Sequence, residues 1–381
     1  MKATWPPSCR VPRSLRPSPF GSPRRPWPVR RPGVITVDPE VAGSQGKVEE
    51  RRPGGLRRLA RRSLVAGSRS PVTLGVLVFY VALVAFFWTA VPGFGTYSNT
   101  ITLLSSASVV LIVSLGQALA IISGGFDLSV GGVVPLGAVI YARLTNSGID
   151  PVQALAVVVL AGAAVGAVNA FLIGRVGINP LITTLGTLSI TGGIAFTIAG
   201  GVTLAVDPRA GRLGDAGPGQ IPYYMFLALL LSLAVHFLLK RTVFGRRIYT
   251  IGGNAEAARL AGIRVDLVQF GIYMLASALA AFAGVVVASQ VLAATGALGS
   301  DTTLVSVAAV VLGGAALTGG TGGVPGTLLG VLLLGTVADG MNIMRVPAFY
   351  QQVVTGCVLL GAVAFGRLQE VWRARSLGTG G

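Results

Sequence analysis

From Leu74 onward the chain is a succession of long apolar runs separated by short polar stretches. A hydrocarbon core needs about 20 apolar residues per helix. That ruler predicts spans near 73–92, 101–122, 129–144, 152–174, 180–200, 221–240, 265–287, 301–318, 325–344 and 348–366, of which the third and eighth are short. The charges between the runs test the count. Ten spans place Arg175, the stretch 240–264 and Arg367, Arg373 and Arg375 on the side of the N-terminal tail, and only Arg143, Arg209, Arg212 and Arg345 on the other. Cytoplasmic loops carry the excess of Lys and Arg, so the tail side is the cytoplasm. Losing one span would put the C-terminal arginines or the 240–264 cluster on the wrong side. The expected fold is an all-α polytopic membrane protein with about ten transmembrane helices and both termini cytoplasmic.

Composition agrees. Hydrophobic residues make up 52% of the chain and charged residues 11%, with a mean hydropathy of +0.74; soluble domains carry about 25% charged residues. The net charge of +17 could suggest nucleic acid, but its location argues otherwise. Residues 1–72 hold 16 Lys and Arg against 4 Asp and Glu, and the remainder holds 14 against 9. The Pro-, Arg-, Ser- and Gly-rich tail reads as a disordered cytoplasmic segment lying along anionic lipid. Aromatic interleaving there is limited to Trp5, Phe20 and Trp27, too little to stack nucleic-acid bases. The domain division is therefore tail 1–72, transmembrane domain 73–366 and cytoplasmic tail 367–381. The first apolar run begins too late for a cleavable signal peptide. Cys9 and Cys357 form no disulfide framework.

Enzyme chemistry finds few residues to work with. A P-loop needs G-x-x-x-x-G-K-[ST]; of three lysines only Lys47 follows a glycine, in GSQGKVEE, without the early Gly or the Ser/Thr. ATP hydrolysis by that route is excluded. His236 is the one histidine, so no metal set or Ser–His dyad is expected. Proton- or sodium-coupled carriers bury sets of ionisable residues, whereas only Asp339 falls well inside a predicted span, with no evident partner. Glycines within spans, such as Gly162 and Gly166, read as close helix packing.

Three stretches stand out. In SGGFDLSVGG (Ser123–Gly132), Gly124 and Gly125 break a helix, and Asp127 is expected at the membrane edge, capping a helix that starts at Leu128; direct ligand contact is the rarer reading. TGGTGG (Thr318–Gly323) lacks dinucleotide spacing and reads as a tight cytoplasmic turn. In Lys240–Arg264, six cations (Lys240, Arg241, Arg246, Arg247, Arg259 and Arg264) face one acid, Glu256, which forces an aqueous loop. There Gly252 and Gly253 end the incoming structure, Asn254 caps a short helix through Glu256, Ala257, Ala258 and Arg259, and Gly262 ends it in the left-handed conformation. Two turns are marginal alone; the helix packs either on the protein's own spans or in a cleft of a partner. On the outer side, 205–220 is polar and turn-rich, equally suited to meeting an extracellular partner or to connecting spans.

These residues resemble the membrane subunit of bacterial ribose/xylose/galactoside-type sugar ABC importers. Ser123–Gly132 resembles that family's GGIDLSVG run, with Phe126 for Ile. Asn179–Gly201 resembles its P-F-I-x-T-L-G-x-x-x-x-x-x-G stretch, with Leu181 for Phe. GRRIYTIGGNAEAARLAGI (Gly245–Ile263) resembles its cytoplasmic E-A-A-x-x-x-G loop. The likeness covers about 73–366. It implies a homodimeric permease, a cytoplasmic ATPase that holds ATP and Mg, and an extracytoplasmic sugar-binding protein, with no cofactor on this chain. It also implies that Gly253, Asn254, Glu256, Ala257, Ala258, Arg259 and Gly262 couple the permease to the ATPase. Branched-chain amino acid permeases share the general fold and a similar loop but usually lack the G-G-x-D-L-S-V-G run. Nucleoside permeases are nearer rivals, and a stand-alone secondary transporter is the alternative from another class. In-span polar residues Gln117, Asn169, Thr183, Thr184, Thr187, Asn342, Gln351 and Gln352 are candidates for the translocation path, though hydrogen bonding between helices is the commoner fate of such groups.

Overall fold

A computed structural model describes residues 71–215, 217–347 and most of 349–364. The basic tail, with Cys9 and Lys47, and the C-terminal Arg367, Arg373 and Arg375 lie outside the described residues.

Helices occupy the apolar runs and begin where local chemistry lets them. Asp150 and Asn179 each precede a proline: each carboxyl or amide oxygen accepts from the N–H two residues on, Val152 at 2.9 Å and Leu181 at 2.8 Å. The proline takes the first helical position, where a missing N–H costs nothing. The elements are α1 (Pro71–Ala90), α2 (Tyr97–Ile122), α3 (Val130–Asn146), α4 (Pro151–Phe171, continued by a π turn Leu172–Val176), α5 (Pro180–Ala199), α6 (Tyr223–Arg241), α7 (Val243–Gly253), α8 (Ala255–Leu260), α9 (Val265–Val291), α10 (Thr302–Leu312) and α11 (Val324–Ile343). Residues 349–354 are helical again, at the start of the last predicted span. Among the described residues, six helices (α2, α4 with its π turn, α5, α6, α9 and α11) are long and apolar enough to cross a membrane, and the apolar part of α1 and α10 are shorter.

The core forms around α9, which packs on α4, α3 and α2. Lipid offers apolar side chains no reason to leave it, so helices associate through close van der Waals approach. Small residues provide that approach on every side of α9. A Cβ at Gly162 of α4 would lie 2.6 Å from Ser277 O, one at Gly137 of α3 would lie 2.5 Å from Ala281 O, and one at Gly116 of α2 would lie 2.8 Å from Ala276 Cα. The outward helices are the exposed ones: 83% of the α2 apolar window is buried, against 28% for α5 and for α6.

Two boundaries and one pairing differ from expectation. α9 continues to Val291, beyond 287. α10 stops at Leu312 rather than 318, because Gly314 takes the left-handed conformation there, at φ +89°. The all-α expectation also misses a short antiparallel pair, β1 (Leu204–Ala205) on β2 (Ala293–Ala294). It pins the stretch 205–220 to the end of α9. A 3-10 helix at Pro208–Gly214 follows, and both Tyr141 Oη (2.9 Å) and Ser289 Oγ (3.2 Å) donate to Ala210 O.

Replacing Gly166 of α4 by Ala drives a methyl into Tyr273 O of α9; overpacking of this kind costs about 1–3 kcal/mol. Gly166→Ala is expected to lower the apparent Tm of the detergent-solubilised protein by several degrees. Gly186→Ala, with nothing near its Cβ, is expected to hold Tm or raise it, since Ala exceeds Gly in helix propensity by about 1 kcal/mol.

Candidate functional site

Two groups of residues carry the features that packing alone does not explain: the α6–α9 connection, and a polar chain buried where α2 breaks into α3.

The connection is a pair of helices rather than a loop. Thr242 stops α6 and starts α7, its hydroxyl accepting from Gly245 N at 3.1 Å and donating to Leu238 O at 2.6 Å. α7 buries Gly245, Ile248 and Ile251 and exposes Arg246 and Arg247. This one-sided pattern lies on the protein surface and keeps the cations in water. Contrary to expectation, Gly252 and Gly253 remain helical; Asn254 makes the break, extended at φ −163°. Its side chain accepts from Ala257 N at 2.9 Å and caps α8. At the other end Gly262 is left-handed at φ +81°. Ile263 N donates to Ala258 O at 3.0 Å and Gly262 N to Arg259 O at 2.9 Å, the paired bonds of a Schellman stop.

Of the family-motif residues on this connection, Ala258 is buried and fastens α8 to the body. Gly253, Asn254, Glu256, Ala257, Arg259 and Gly262 are exposed. Sequence reasoning passed over Leu260, which is 87% exposed at the tip of α8. Once Ala258 is seen to be buried, its neighbour two positions on must face away from the protein.

The second group surrounds Asp127. It is fully buried in the protein, as is Ser129. The helix starts at Val130, and Asp127 Oδ1 accepts from Ser129 N at 3.0 Å and from Ser129 Oγ. Ser277 Oγ of α9 lies 3.5 Å from Oδ2. The chain of bonds continues outward: Asn169 Nδ2 of α4 donates to Ser129 Oγ at 3.0 Å, and Thr187 Oγ1 of α5 donates to Asn169 Oδ1 at 2.6 Å. A carboxylate here remains affordable because polar groups from its own turn and from α9 answer it, and four segments are tied in the process. Gly124 and Gly125 end α2, with Gly124 left-handed at φ +85°. Gly125 leaves room for Tyr273 Oη, 2.8 Å from where its Cβ would be, and Gly131 leaves room for Thr303 of α10.

The path candidates therefore divide. Asn169 and Thr187 belong to the polar chain. Thr184 Oγ1 donates to its own helix at Pro180 O, 2.9 Å away. Gln352 is exposed, and Gln351 Nε2 donates to Asn342 Oδ1 at 2.8 Å. Gln117, fully buried in α2, has neither its amide nitrogen nor its oxygen partnered; the hydroxyls of Ser114, Thr183 and Thr336 share that condition. Asp339, expected to stand alone, accepts from Asn99 Nδ2 at 2.8 Å.

Asp127→Ala would strand the Ser129 N–H and hydroxyl in the interior, at a cost of about 1–3 kcal/mol. It is expected to lower the Tm of the solubilised protein clearly, whereas Asp127→Asn keeps an acceptor oxygen, removes a buried charge and is expected to stay near wild type in the same thermal scan.

Residues 99–363 match the family described as "Branched-chain amino acid transport system / permease component". A probable ABC transporter permease protein of Sinorhizobium fredii is 36% identical over 322 residues, covering 84% of this chain and 95% of that protein. The L-arabinose ABC transporter permease protein of Azospirillum brasilense is 34% identical over 84% of this chain and 91% of its own length. The ribose import permease protein of Escherichia coli is 33% identical over 75% of this chain and 91% of its own. No solved structure shows significant similarity. The matched region takes in α2 through α11, the buried polar chain and the α7–α8 arm together, and the chain belongs to this family of membrane permease components.

Proposed function

We propose that this chain is the membrane permease subunit of an ATP-driven ABC importer that moves a monosaccharide delivered by an extracytoplasmic binding protein. The observation that carries the sugar assignment is near end-to-end alignment with permeases named for L-arabinose and ribose. The SGGFDLSVGG run at the α2–α3 break supports it. In this reading the chain crosses the cell membrane ten times with both termini cytoplasmic, α3, α10 and the helix from residue 349 completing the crossings that α1, α2, α4, α5, α6, α9 and α11 begin. The α7–α8 arm then faces the cytoplasm.

The division of labour follows from the residues. ATP and Mg²⁺ belong to a separate ATPase, because the phosphate-cradling loop and its lysine are missing here. α8 is rigidly capped at both ends, anchored through Ala258, and presents Leu260 with Glu256 and Arg259 beside it; that geometry suits a cleft on the ATPase. A second copy of the chain completes the pathway, and alternating exposure of the site to the two sides carries the sugar across. Gln117 is the strongest candidate for contact with sugar, since a buried amide with no partner has hydrogen bonds to offer. Selection among sugars is assigned to the binding protein, and the tails 1–72 and 367–381 to the cytoplasm.

Leu260→Asp and Glu256→Arg are expected to leave the permease in the membrane but weaken ATPase association by about tenfold or more, on the scale of an interface anchor above 1 kcal/mol. Co-purification and vesicle uptake measure this; full association by Leu260→Asp would sink the docking role. Calorimetry of the cognate binding protein against pentoses, hexoses, a nucleoside and leucine tests the substrate class. Heat from the pentose or hexose arm is the expected result, and binding of leucine or the nucleoside alone would reassign the importer.

A further inference from the structure

The ends of α2 and α7 and the turn between α10 and α11 meet backbone to backbone. Gly320 N, in the turn between α10 and α11, donates to Ile122 O at the end of α2, at 2.9 Å. Gly252 lies against both: a Cβ there would overlap Ile122 O and stand 2.5 Å from Gly320 N. A Cβ on Gly319 would reach 2.8 Å from Gly124 Cα and 2.9 Å from Gly252 O, and one on Gly320 would stand 3.2 Å from Gly253 Cα. Gly319 and Gly320 are left-handed, at φ +87° and +78°, so the turn also needs glycine for its own shape. Tyr249 of α7 ties the same turn from below, its hydroxyl donating to Gly322 O at 2.9 Å. Burial pushes that phenol above its usual range, which keeps the proton it donates.

Main chain therefore touches main chain between three segments far apart in sequence, with no side chain between them to change rotamer and absorb a shift. Close-packed contacts of this kind pass strain on rather than dissipate it. On one side the junction is separated from α8 only by Gly253 and the single extended residue Asn254. On the other it opens into 123–129, the break whose Asp127 and Ser129 are bonded to α9 and α4 and, through Asn169, to α5.

We propose that this glycine junction passes movement of α8 into the α2–α3 break, and that Gly252, Gly319, Gly320 and Tyr249 are positioning residues for transport. The proposal rests on α8 being the ATPase contact. Gly319 and Gly320, in the stretch read from sequence as a turn, are then a bearing surface between the arm and the buried polar chain.

The test is the complete importer in liposomes, permease with its ATPase and binding protein, with ATP hydrolysis and sugar uptake measured in the same vesicles. Gly252→Ala is expected to keep the ATPase bound and hydrolysing while sugar moved per ATP falls by roughly fivefold or more, the span of a typical coupling free energy. Tyr249→Phe, which removes one hydrogen bond and no packing, is expected to lower the same ratio by about twofold. Gly323→Ala, whose nearest neighbours would be 3.8 and 3.9 Å away, is expected to keep the wild-type ratio. A wild-type ratio in Gly252→Ala overturns the proposal, as does a fall in Gly323→Ala equal to that in Gly252→Ala. Where Gly252→Ala does not assemble, a wild-type ratio in Tyr249→Phe overturns it. Release of the ATPase by Leu260→Asp with no change of ratio in Gly252→Ala would remove the junction alone; retention of the ATPase by Leu260→Asp would remove the reading of α8 beneath it.

Discussion

Close contact between helix backbones is the condition on which the rest of this structure depends. In lipid no hydrophobic drive gathers the helices, so what holds them is the sum of short-range attraction over surfaces that fit. α9 is built for that role, meeting α4 at Gly162 and Gly166, α3 at Gly137 and α2 at Gly116. With α9 placed, Ser277 and Tyr273 arrive beside the α2–α3 break, and the break acquires the partners that let it exist in the interior. The same device reappears at the end of α7, where helix ends and a turn meet rather than spans.

The buried polar chain is the second consequence. Non-helical backbone within a membrane protein is tolerated where protein surrounds it and satisfies its polar groups. Residues 123–129 are such a stretch, and Asp127, Ser129, Asn169, Thr187 and Ser277 supply the bonds. Groups that would each be costly alone are stable as a set, which gives the four segments one preferred arrangement and makes any rearrangement among them collective. Gln117, Ser114, Thr183 and Thr336 are the opposite case: buried hydroxyl and amide groups with no partner in this arrangement, and so the groups with bonds to offer in another.

The arm of α7 and α8 shows how much of a candidate site can be read locally. Asn254 and Gly262 act through the few residues beside them, so the start and stop of α8 were visible in the sequence. The end of α7 was not, because Gly252 and Gly253 signal an ending, yet both stay helical and Gly252 packs against Ile122 and Gly320. Leu260 was overlooked for a related reason: apolar residues are so common in this chain that one more carried no signal until its exposure was seen.

By itself the sequence determined the apolar helices, most of their boundaries and the caps of α8. Those depend on run length and on residues within a turn of the helix end. Tertiary structure alone decided the environment of Asp127, the partner of Asp339, the β1–β2 pair and the meeting of three glycine-bearing segments. Asp339 and Asn99 are 240 residues apart, and Asp127 and Ser277 are 150 apart. Contacts over such separations leave no periodicity in the chain, since they follow from which helix faces which once all of them have packed.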